Sequence, residues 1–415
     1  MQERRAERDA FAERLFRSAL GYFDLLSIRL GQRLGLYEVF AEGSVTSQEL
    51  SARAGIAERY AREWLEQQVT AGILRADVQR EDHTFSLPPG HAEVLLDGDS
   101  LSYMGASVWQ LLTIPNAFEN VVEAFRTGGG VSHEAYGRDN VQGQGLGNRP
   151  VFLTTLPIDW LPNIPPMHER LTAEPPARVV DVGCGTGWSS IAVAKAYPQV
   201  TVDGFDPDDV SIELARKNTA VEGVADRVRF HRADAAEVTT AGPFDIATAF
   251  ECIHDMARPV EVLGAVRRAL ADDGSMLIVD ERTGERFTGQ PDELEAYFYG
   301  WSIFDCLPTG MYEQPSAGTG TVMRPSTLEG YAREAGFTRF QVLPIEHDDF
   351  RLYLLRPKPG WISGQIGQGS TRTRRTGGSP EANSAQLRPA SSDANTCPSE
   401  VPNATNERSG WASRQ

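Results

Sequence analysis

The chain has 415 residues, 40% of them hydrophobic and 23% charged, and its formal net charge is -17. A surface with this excess of acids repels a phosphate backbone, so we expect no nucleic-acid partner. No apolar run approaches the roughly 18 residues of a membrane span, and the mixed-charge N-terminus lacks the apolar core of a signal peptide, so we expect a cytoplasmic protein without membrane segments.

The residues from 8 to 36 predict a long helix, because apolar side chains recur three and four positions apart from Phe11 to Leu30. The apolar stripe is wide, since Phe16 and Leu20 flank it. A helix that is apolar on more than one face is buried on more than one side. We therefore expect this helix to form part of a homodimer interface.

A capping-box pattern, Thr46-Ser47-Gln48-Glu49, begins a second, short helix. A third helix is predicted over 57–72, and two β-like runs follow at 73–79 and 84–87. Three helices and a hairpin in this order are typical of a winged-helix module. We assign residues 1–99 to an α-helical winged-helix and dimerisation domain.

The next segment, residues 100–175, is predicted to be a helical connector and lid. Its pattern is helical up to residue 127, with a break near Pro115, and a stretch rich in Gly, Asn and Pro follows. We expect that stretch to pack over the next domain. At the other end of the chain, residues 358–415 are rich in Gly, Ser, Thr and Pro, which predicts disorder.

Residues 176–357 predict an α/β domain with a Rossmann-like, seven-stranded sheet. Strand-length apolar runs occur at 178–182, 200–205, 228–232, 244–250, 275–280, 337–345 and 350–356. Helix-length segments separate most of the first five runs, and this alternation is typical of a parallel sheet covered by helices on both faces.

A glycine-rich turn joins the first strand of this domain to a helix. Its ligand-facing candidates are Asp181, Gly183, Cys184, Gly185 and Gly187. Glycines allow a tight turn and a close approach of the backbone to a ligand. The dinucleotide fingerprint requires a third glycine where Trp188 stands, so the pattern argues against a nicotinamide cofactor.

Carboxylates also follow the next strands of the sheet. Asp206 ends the second strand, where an ionised acceptor can bind ribose hydroxyls strongly. Asp234, with its neighbour Ala235, follows the third strand, and Phe250 and Glu251 end the fourth. Since these strand ends share one edge, we expect a nucleoside-binding site there.

The D-x-G-x-G-x-G turn and the acids that follow the strands resemble the motifs of class I S-adenosylmethionine-dependent methyltransferases. That resemblance implies S-adenosylmethionine as cofactor and places Asp234 near its adenine amino group. With the winged helix, the chain resembles a narrower bacterial family of such enzymes. The stretches that carry this second resemblance are 59–66, 148–150, 187–190, 254–259, 306–311 and 331–337.

In related small-molecule O-methyltransferases a His-Asp-Trp segment after the fourth strand supplies the general base. Here the segment is His254-Asp255-Met256. The resemblance implies that His254 is the base, with Asp255 or Glu251 orienting its ring. The function predicted is methyl transfer to a small-molecule acceptor, most readily at oxygen.

Two alternatives to this function remain open. One is N- or C-methylation on the same fold. The other is a winged-helix transcription regulator that senses S-adenosylmethionine. Metal binding is not expected, because the four cysteines, Cys184, Cys252, Cys306 and Cys397, form no CxxC pair and no Cys/His cluster.

Overall fold

The computed structural model describes residues 1–79 and 82–357. The tail over 358–415, which the sequence predicts to be disordered, lies outside the described residues. Among the described helices, none is both long enough and apolar enough to cross a lipid bilayer. All described residues belong to one compact unit, and the domain boundaries at 99 and 175 remain predictions.

The N-terminal region contains four helices and a small hairpin. Their bounds are α1 Gln2–Leu34, α2 Ser47–Ala54, α3 Glu58–Thr70, β1 Arg75–Asp77, β2 Thr84–Ser86 and α4 Pro89–Leu96. The predicted capping box is present, because the Thr46 side chain accepts from the Glu49 backbone and the Glu49 side chain accepts from Thr46 N. Strands β1 and β2 pair antiparallel. The predicted winged-helix fold is confirmed.

Helix α1 extends away from the rest of the chain. Residues 2–23 are all exposed, including Phe11, Phe16 and Phe23, and only Gly31 near the C-terminal end is buried. A side chain at Gly31 would collide with the rings of Tyr37 and Trp64, which explains the close packing there. The wide apolar stripe is therefore not buried within this chain.

The connector is mostly helical. It contains α5 Gly105–Leu111, α6 Ile114–Thr127, α7 Arg138–Pro150, a π-helical segment Val151–Trp160 and α8 Pro165–Thr172. The stretch after residue 130, rich in Gly, Asn and Pro, is helical for most of its length. Two glycines of α7, Gly143 and Gly145, lie where a Cβ would come too close to neighbouring segments.

The sheet has seven strands in the order β5-β4-β3-β6-β7-β9-β8. These strands are β3 Arg178–Val182, β4 Thr201–Asp206, β5 Val228–Arg232, β6 Phe244–Phe250, β7 Leu270–Glu281, β8 Arg339–Val342 and β9 Phe350–Arg356. The first five are parallel, and β9 runs antiparallel to β7 and to β8. The predicted seven-stranded α/β fold is confirmed.

Helices cover both faces of the sheet, and their apolar sides form two buried clusters with it. The covering helices of this part are α9 Trp188–Ala196, α10 Asp209–Val221, α11 Pro259–Ala269 and α14 Pro325–Glu334. An insert after β7 adds α12 Glu293–Trp301, a π-helical segment Ser302–Cys306 and α13 Leu307–Gly310. Because β3 lies between β4 and β6, the chain reverses direction across the sheet there, and a crevice opens at the carboxyl ends of these strands.

Candidate active site

A cavity of about 440 Å³ occupies this crevice. Its walls come from the turn after β3, from the ends of β4 and β6, and from α7 on the opposite side. The predicted site residues on its wall are Gly183, Cys184, Gly185, Asp206, Asp234, Ala235, Phe250, Glu251 and Asp255. Asp181, Gly187 and His254 are not among the residues that line it.

The glycine-rich turn has the conformation that its sequence predicts. Gly183, Gly185 and Gly187 all have positive φ angles, of 65°, 50° and 84°. A Cβ at Gly187 would lie 2.6 Å from the ring of Phe230. This glycine is therefore required for packing under the turn rather than for contact with a ligand in the cavity.

Asp181 lies behind the turn and is fully buried. Its carboxylate accepts hydrogen bonds from the hydroxyls of Ser189, Ser190 and Thr248, at 2.6, 2.7 and 2.7 Å. These donors fix the turn to the start of α9 and to β6, and Asp181 does not line the cavity. This arrangement gives no support to the interpretation of Asp181 as a ligand-facing residue.

Asp206 lies on the cavity wall at the end of β4. One carboxylate oxygen accepts from Gly185 N and the other from Asp208 N, both at 2.9 Å. Burial raises the pKa of Asp206 from its ordinary value, while these two backbone donors oppose the rise. Each oxygen keeps a lone pair available, so the side chain can accept further hydrogen bonds from a ligand.

Asp234 and Phe250 lie on two other sides of the cavity. The Asp234 carboxylate accepts from Ala236 N at 2.8 Å and lies 3.6 Å from the Arg258 guanidinium. The Phe250 ring packs edge to face against the ring of Phe152 from the π-helical segment Val151–Trp160, with centroids 5.2 Å apart. The cavity thus offers an exposed carboxylate on one side and an aromatic wall on another.

Glu251 has a strained backbone and a buried carboxyl group. Among the described residues it is the only one other than glycine with a positive φ, 49°. Its carboxylate accepts from Asn148 Nδ2 of α7 at 3.2 Å. Burial raises the pKa of Glu251 to about 7, and His254 opposes the rise. Backbone strain of this kind clusters at functional sites.

His254 is 2% exposed and is enclosed by carboxylates. Its Nδ1 lies 2.8 Å from Asp280 Oδ1, and its Nε2 lies 3.2 Å from Asp255 Oδ1. Burial lowers the pKa of His254, but Asp280, Glu281 and Asp255 together raise it well above its ordinary value. This arrangement gives no support to the expected role of His254 as the base, because His254 does not line the cavity and its ring nitrogens lie beside Asp280 and Asp255. The ring contacts Asp280 in addition to the expected Asp255.

One further cavity residue, His133, has no signal in the sequence. It lines the cavity and lies 3.8 Å from Asp208 Oδ1. Burial lowers the pKa of His133, but Asp208, Asp305 and Asp206 raise it to about 8. No motif surrounds this histidine in the sequence. Only the return of the connector to the sheet edge brings it to the site.

Two protein families match the chain. The family described as "Methyltransferase domain" matches residues 174–306, and the "Rv2258c-like winged HTH domain" matches residues 24–96. The first match begins just before β3 and includes the glycine-rich turn and every strand end that lines the cavity. The second includes the capping box and the hairpin.

Several curated proteins are similar to parts of the chain. Ubiquinone biosynthesis O-methyltransferase of Ralstonia nicotianae is 26% identical over 197 residues, which are 47% of this chain and 74% of that protein. Polyketide synthase ThaQ of Burkholderia thailandensis is 31% identical over 104 residues, which are 25% of this chain but only 5% of that protein.

Solved structures show the same fold. Human N-acetylserotonin methyltransferase, in complex with S-adenosylmethionine, is 16% identical with a TM-score of 0.62, and the match covers 83% of this chain and 97% of that one. The chain therefore combines a methyltransferase domain of the S-adenosylmethionine-dependent class with an N-terminal Rv2258c-like winged helix-turn-helix domain.

Proposed function

We propose that the protein transfers a methyl group from S-adenosylmethionine to an oxygen atom of a small-molecule acceptor. The observation that carries this proposal is the single cavity wall on which the glycine-rich turn, Asp206 and Glu251 meet. The cavity volume of about 440 Å³ falls in the range of small-molecule pockets. The matched O-methyltransferases favour oxygen over nitrogen or carbon.

Glu251 takes the role of proton acceptor in this proposal. Methyl transfer from a sulfonium is a direct displacement, so the enzyme must hold a deprotonated nucleophile in line with the methyl group. A phenol or alcohol oxygen is protonated at neutral pH and is activated by a base. Glu251 lines the cavity, whereas His254 lies behind it. A carboxyl group with a pKa of about 7 is well matched to this task.

A role in DNA binding receives less support. Residues 1–100 contain 12 arginines and no lysine against 17 acidic residues. Arg59 and Arg62 of α3 form ion pairs with Glu63 and Glu58 of the same helix. The helix that would enter a DNA groove is therefore neutralised by its own carboxylates. We propose that the N-terminal domain serves assembly rather than nucleic-acid recognition.

The test is methyl transfer from labelled S-adenosylmethionine to a panel of phenols, alcohols, amines and carbon acids. We expect transfer to an oxygen acceptor, and Glu251→Gln lowers turnover by about 10²–10⁴-fold while cofactor affinity stays nearly unchanged. Glu329→Gln, which removes a carboxylate from α14 that pairs with Arg333 away from the cavity, is the matched control and keeps full turnover. Transfer to amines alone would overturn the oxygen assignment, and normal turnover of Glu251→Gln would overturn the base.

A further inference from the structure

Directly behind the cavity wall, three chain segments bring together a nitrogen, an oxygen and a sulfur ligand. His254 and Asp255 belong to the turn after β6, and Cys306 ends the π-helical segment of the insert. One ligand atom from each of the three side chains lies within 4.8 Å of the other two. Imidazole, carboxylate and thiolate together are a donor set typical of divalent transition metals, above all zinc.

The His254 ring is oriented as a metal-ligating histidine usually is. Its Nδ1 is held by Asp280 Oδ1 at 2.8 Å. Asp280 is itself fixed, because the same oxygen accepts from Glu281 N at 3.1 Å. A carboxylate that holds one ring nitrogen determines the tautomer and directs the other nitrogen toward the metal. Here that other nitrogen is Nε2, which faces Asp255.

Several carboxylate oxygens around His254 have no hydrogen-bond partner. Asp255 Oδ1 is buried and accepts no hydrogen bond, although it lies 3.2 Å from His254 Nε2. Asp280 Oδ2 and Glu281 Oε2 likewise accept no hydrogen bond, on residues that are 1% and 8% exposed, although Glu281 Oε2 lies 3.3 Å from His254 Nδ1. Three acidic side chains around one imidazole are costly to bury, and a bound cation would compensate their charge.

We propose that His254 Nε2, an Asp255 oxygen and Cys306 Sγ bind one divalent metal ion of the zinc class. Asp280 supports the site through the histidine ring. Three protein ligands leave a fourth position open, as in catalytic zinc sites. Asp255 also lines the cavity, so the ion lies beside the methyl-transfer space. Use of that open position to hold the acceptor oxygen rests on the proposed function, whereas metal binding itself does not.

The competing occupant of His254 Nε2 is a proton. Without metal, a proton on Nε2 faces Asp255 Oδ1, which lies 3.2 Å away. Metal binding removes this proton and the thiol proton of Cys306, and both are released to solvent. The divalent ion takes the place of these two protons, and its two positive charges interact with Asp255 and with the Cys306 thiolate.

The experiment is titration of the purified full-length protein with Co²⁺, followed by competition with Zn²⁺. We expect one ion retained per chain after dialysis, measured by mass spectrometry of the metal content. Bound Co²⁺ gives a thiolate-to-metal charge-transfer absorption when cysteine is a ligand. Zn²⁺ displaces it, because zinc binds such a site more tightly than cobalt.

Three variants identify the ligands. In Cys306→Ser the charge-transfer absorption disappears, and in Cys184→Ser, which removes a thiol outside the group, it stays. Asp280→Asn weakens Co²⁺ affinity by about 10–100-fold, because it loosens the hold on the histidine ring. Melting temperatures establish that each variant is folded. If a variant does not fold, the absorption of the wild-type protein with Co²⁺ still tests the proposal.

The outcomes separate this inference from the proposed function. Failure of the wild-type protein to retain cobalt or zinc, or an absorption unchanged by Cys306→Ser, overturns the metal site. If methyl transfer to oxygen proceeds in a protein that retains no metal, only the metal site is wrong. If the metal binds and no oxygen acceptor is methylated, only the proposed function is wrong.

Discussion

Asp181 and Asp206 lie at the ends of neighbouring strands, and their hydrogen-bond partners decide what each carboxylate does. Asp181 receives three hydroxyl donors from its own domain and does not line the cavity. Asp206 receives two backbone donors and keeps one side of each oxygen open to the cavity. The sequence predicts both as acids at strand ends, but it does not indicate which one is already satisfied.

At this scale the cofactor assignment of Asp206 can be tested directly. Asp206→Ala is expected to weaken S-adenosylmethionine binding by about 1.5–3 kcal/mol, which is typical for the loss of hydrogen bonds to a charged group. Isothermal titration calorimetry measures the change. The control is Asp209→Ala, since Asp209 is exposed on α10 and pairs with Arg232 at the surface. Equal affinity of the Asp206 variant and the wild type would exclude the proposed ribose contact.

His133 is expected to make stability depend on pH. Its pKa is raised from 6.5 to about 8 in the folded protein, so its protonated form is favoured by folding. That stabilisation is complete below pH 6.5 and is lost as the pH rises to about 8. Because 38% of the side chain is exposed, solvent screening limits the effect to below about 1 kcal/mol.

Urea unfolding between pH 6 and 9 measures this dependence, and His133→Gln removes its share of the slope. Asp206, Asp208 and Asp305 face the ring and remain in the variant. Glu251 also titrates near neutrality in both proteins, so the difference between the two slopes reports His133 together with its interaction with Asp305, whose pKa of about 6 His133 lowers. Identical slopes would contradict the predicted interaction.

At the scale of elements, α7 closes the cavity by lying against the glycine-rich turn. A Cβ at Gly145 would come within 2.9 Å of the Cβ of Thr186, whereas a Cβ at Gly147 would have no neighbour closer than 3.9 Å. Both glycines are in the same helix, two residues apart. They therefore form a matched pair for testing whether the contact of α7 with the turn matters to the cofactor.

Gly145→Ala should weaken S-adenosylmethionine binding by about 5- to 150-fold, because overpacking of this kind costs about 1–3 kcal/mol and displaces the turn. Gly147→Ala should leave affinity unchanged and raise the melting temperature slightly, since alanine favours the helix. Calorimetry and thermal melting measure the two effects. Similar affinities of the two variants would mean that α7 does not position the turn.

The sequence predicts those elements whose signals are local. The capping box predicts the start of α2, and strand–helix alternation predicts the sheet. Helix α7 was not singled out because glycines disfavour a helix locally, whereas the close approach of Gly145 to Thr186 and of Gly143 to α5 depends on the tertiary fold. The position of His254 was missed for a similar reason: Asp280 and Glu281 reach it from another strand, and their approach depends on strand order.

At the scale of the whole molecule, the exposed apolar side chains of α1 predict a homodimer. Phe11, Phe16 and Phe23 are 58, 64 and 62% exposed on one helix. An apolar surface of this extent is unusual on a monomer and is typical of an interface. Light scattering at micromolar concentration should give the mass of two chains for the wild type. The double variant Phe16→Asp, Phe23→Asp should have the mass of one chain.

Glu13→Gln changes a polar residue of the same helix and should leave the dimer intact, because Glu13 pairs only with Arg17. A wild-type mass of one chain, or a double Asp variant that remains dimeric, would contradict the role of α1. The sequence correctly predicts an apolar stripe on this helix. It does not indicate whether the stripe packs within its own chain or against a second chain.

The inner end of α1 is joined to the lid. Arg29 binds Asp139 of α7 at 2.6 Å, and Gln32 donates to Gly105 O at 3.1 Å. A projecting helix of this kind is only marginally stable without a partner, so its order follows protein concentration by mass action. Turnover per chain should therefore fall when the protein is diluted below its dimer dissociation constant, as the loosened helix no longer holds α7 over the methyl-transfer site.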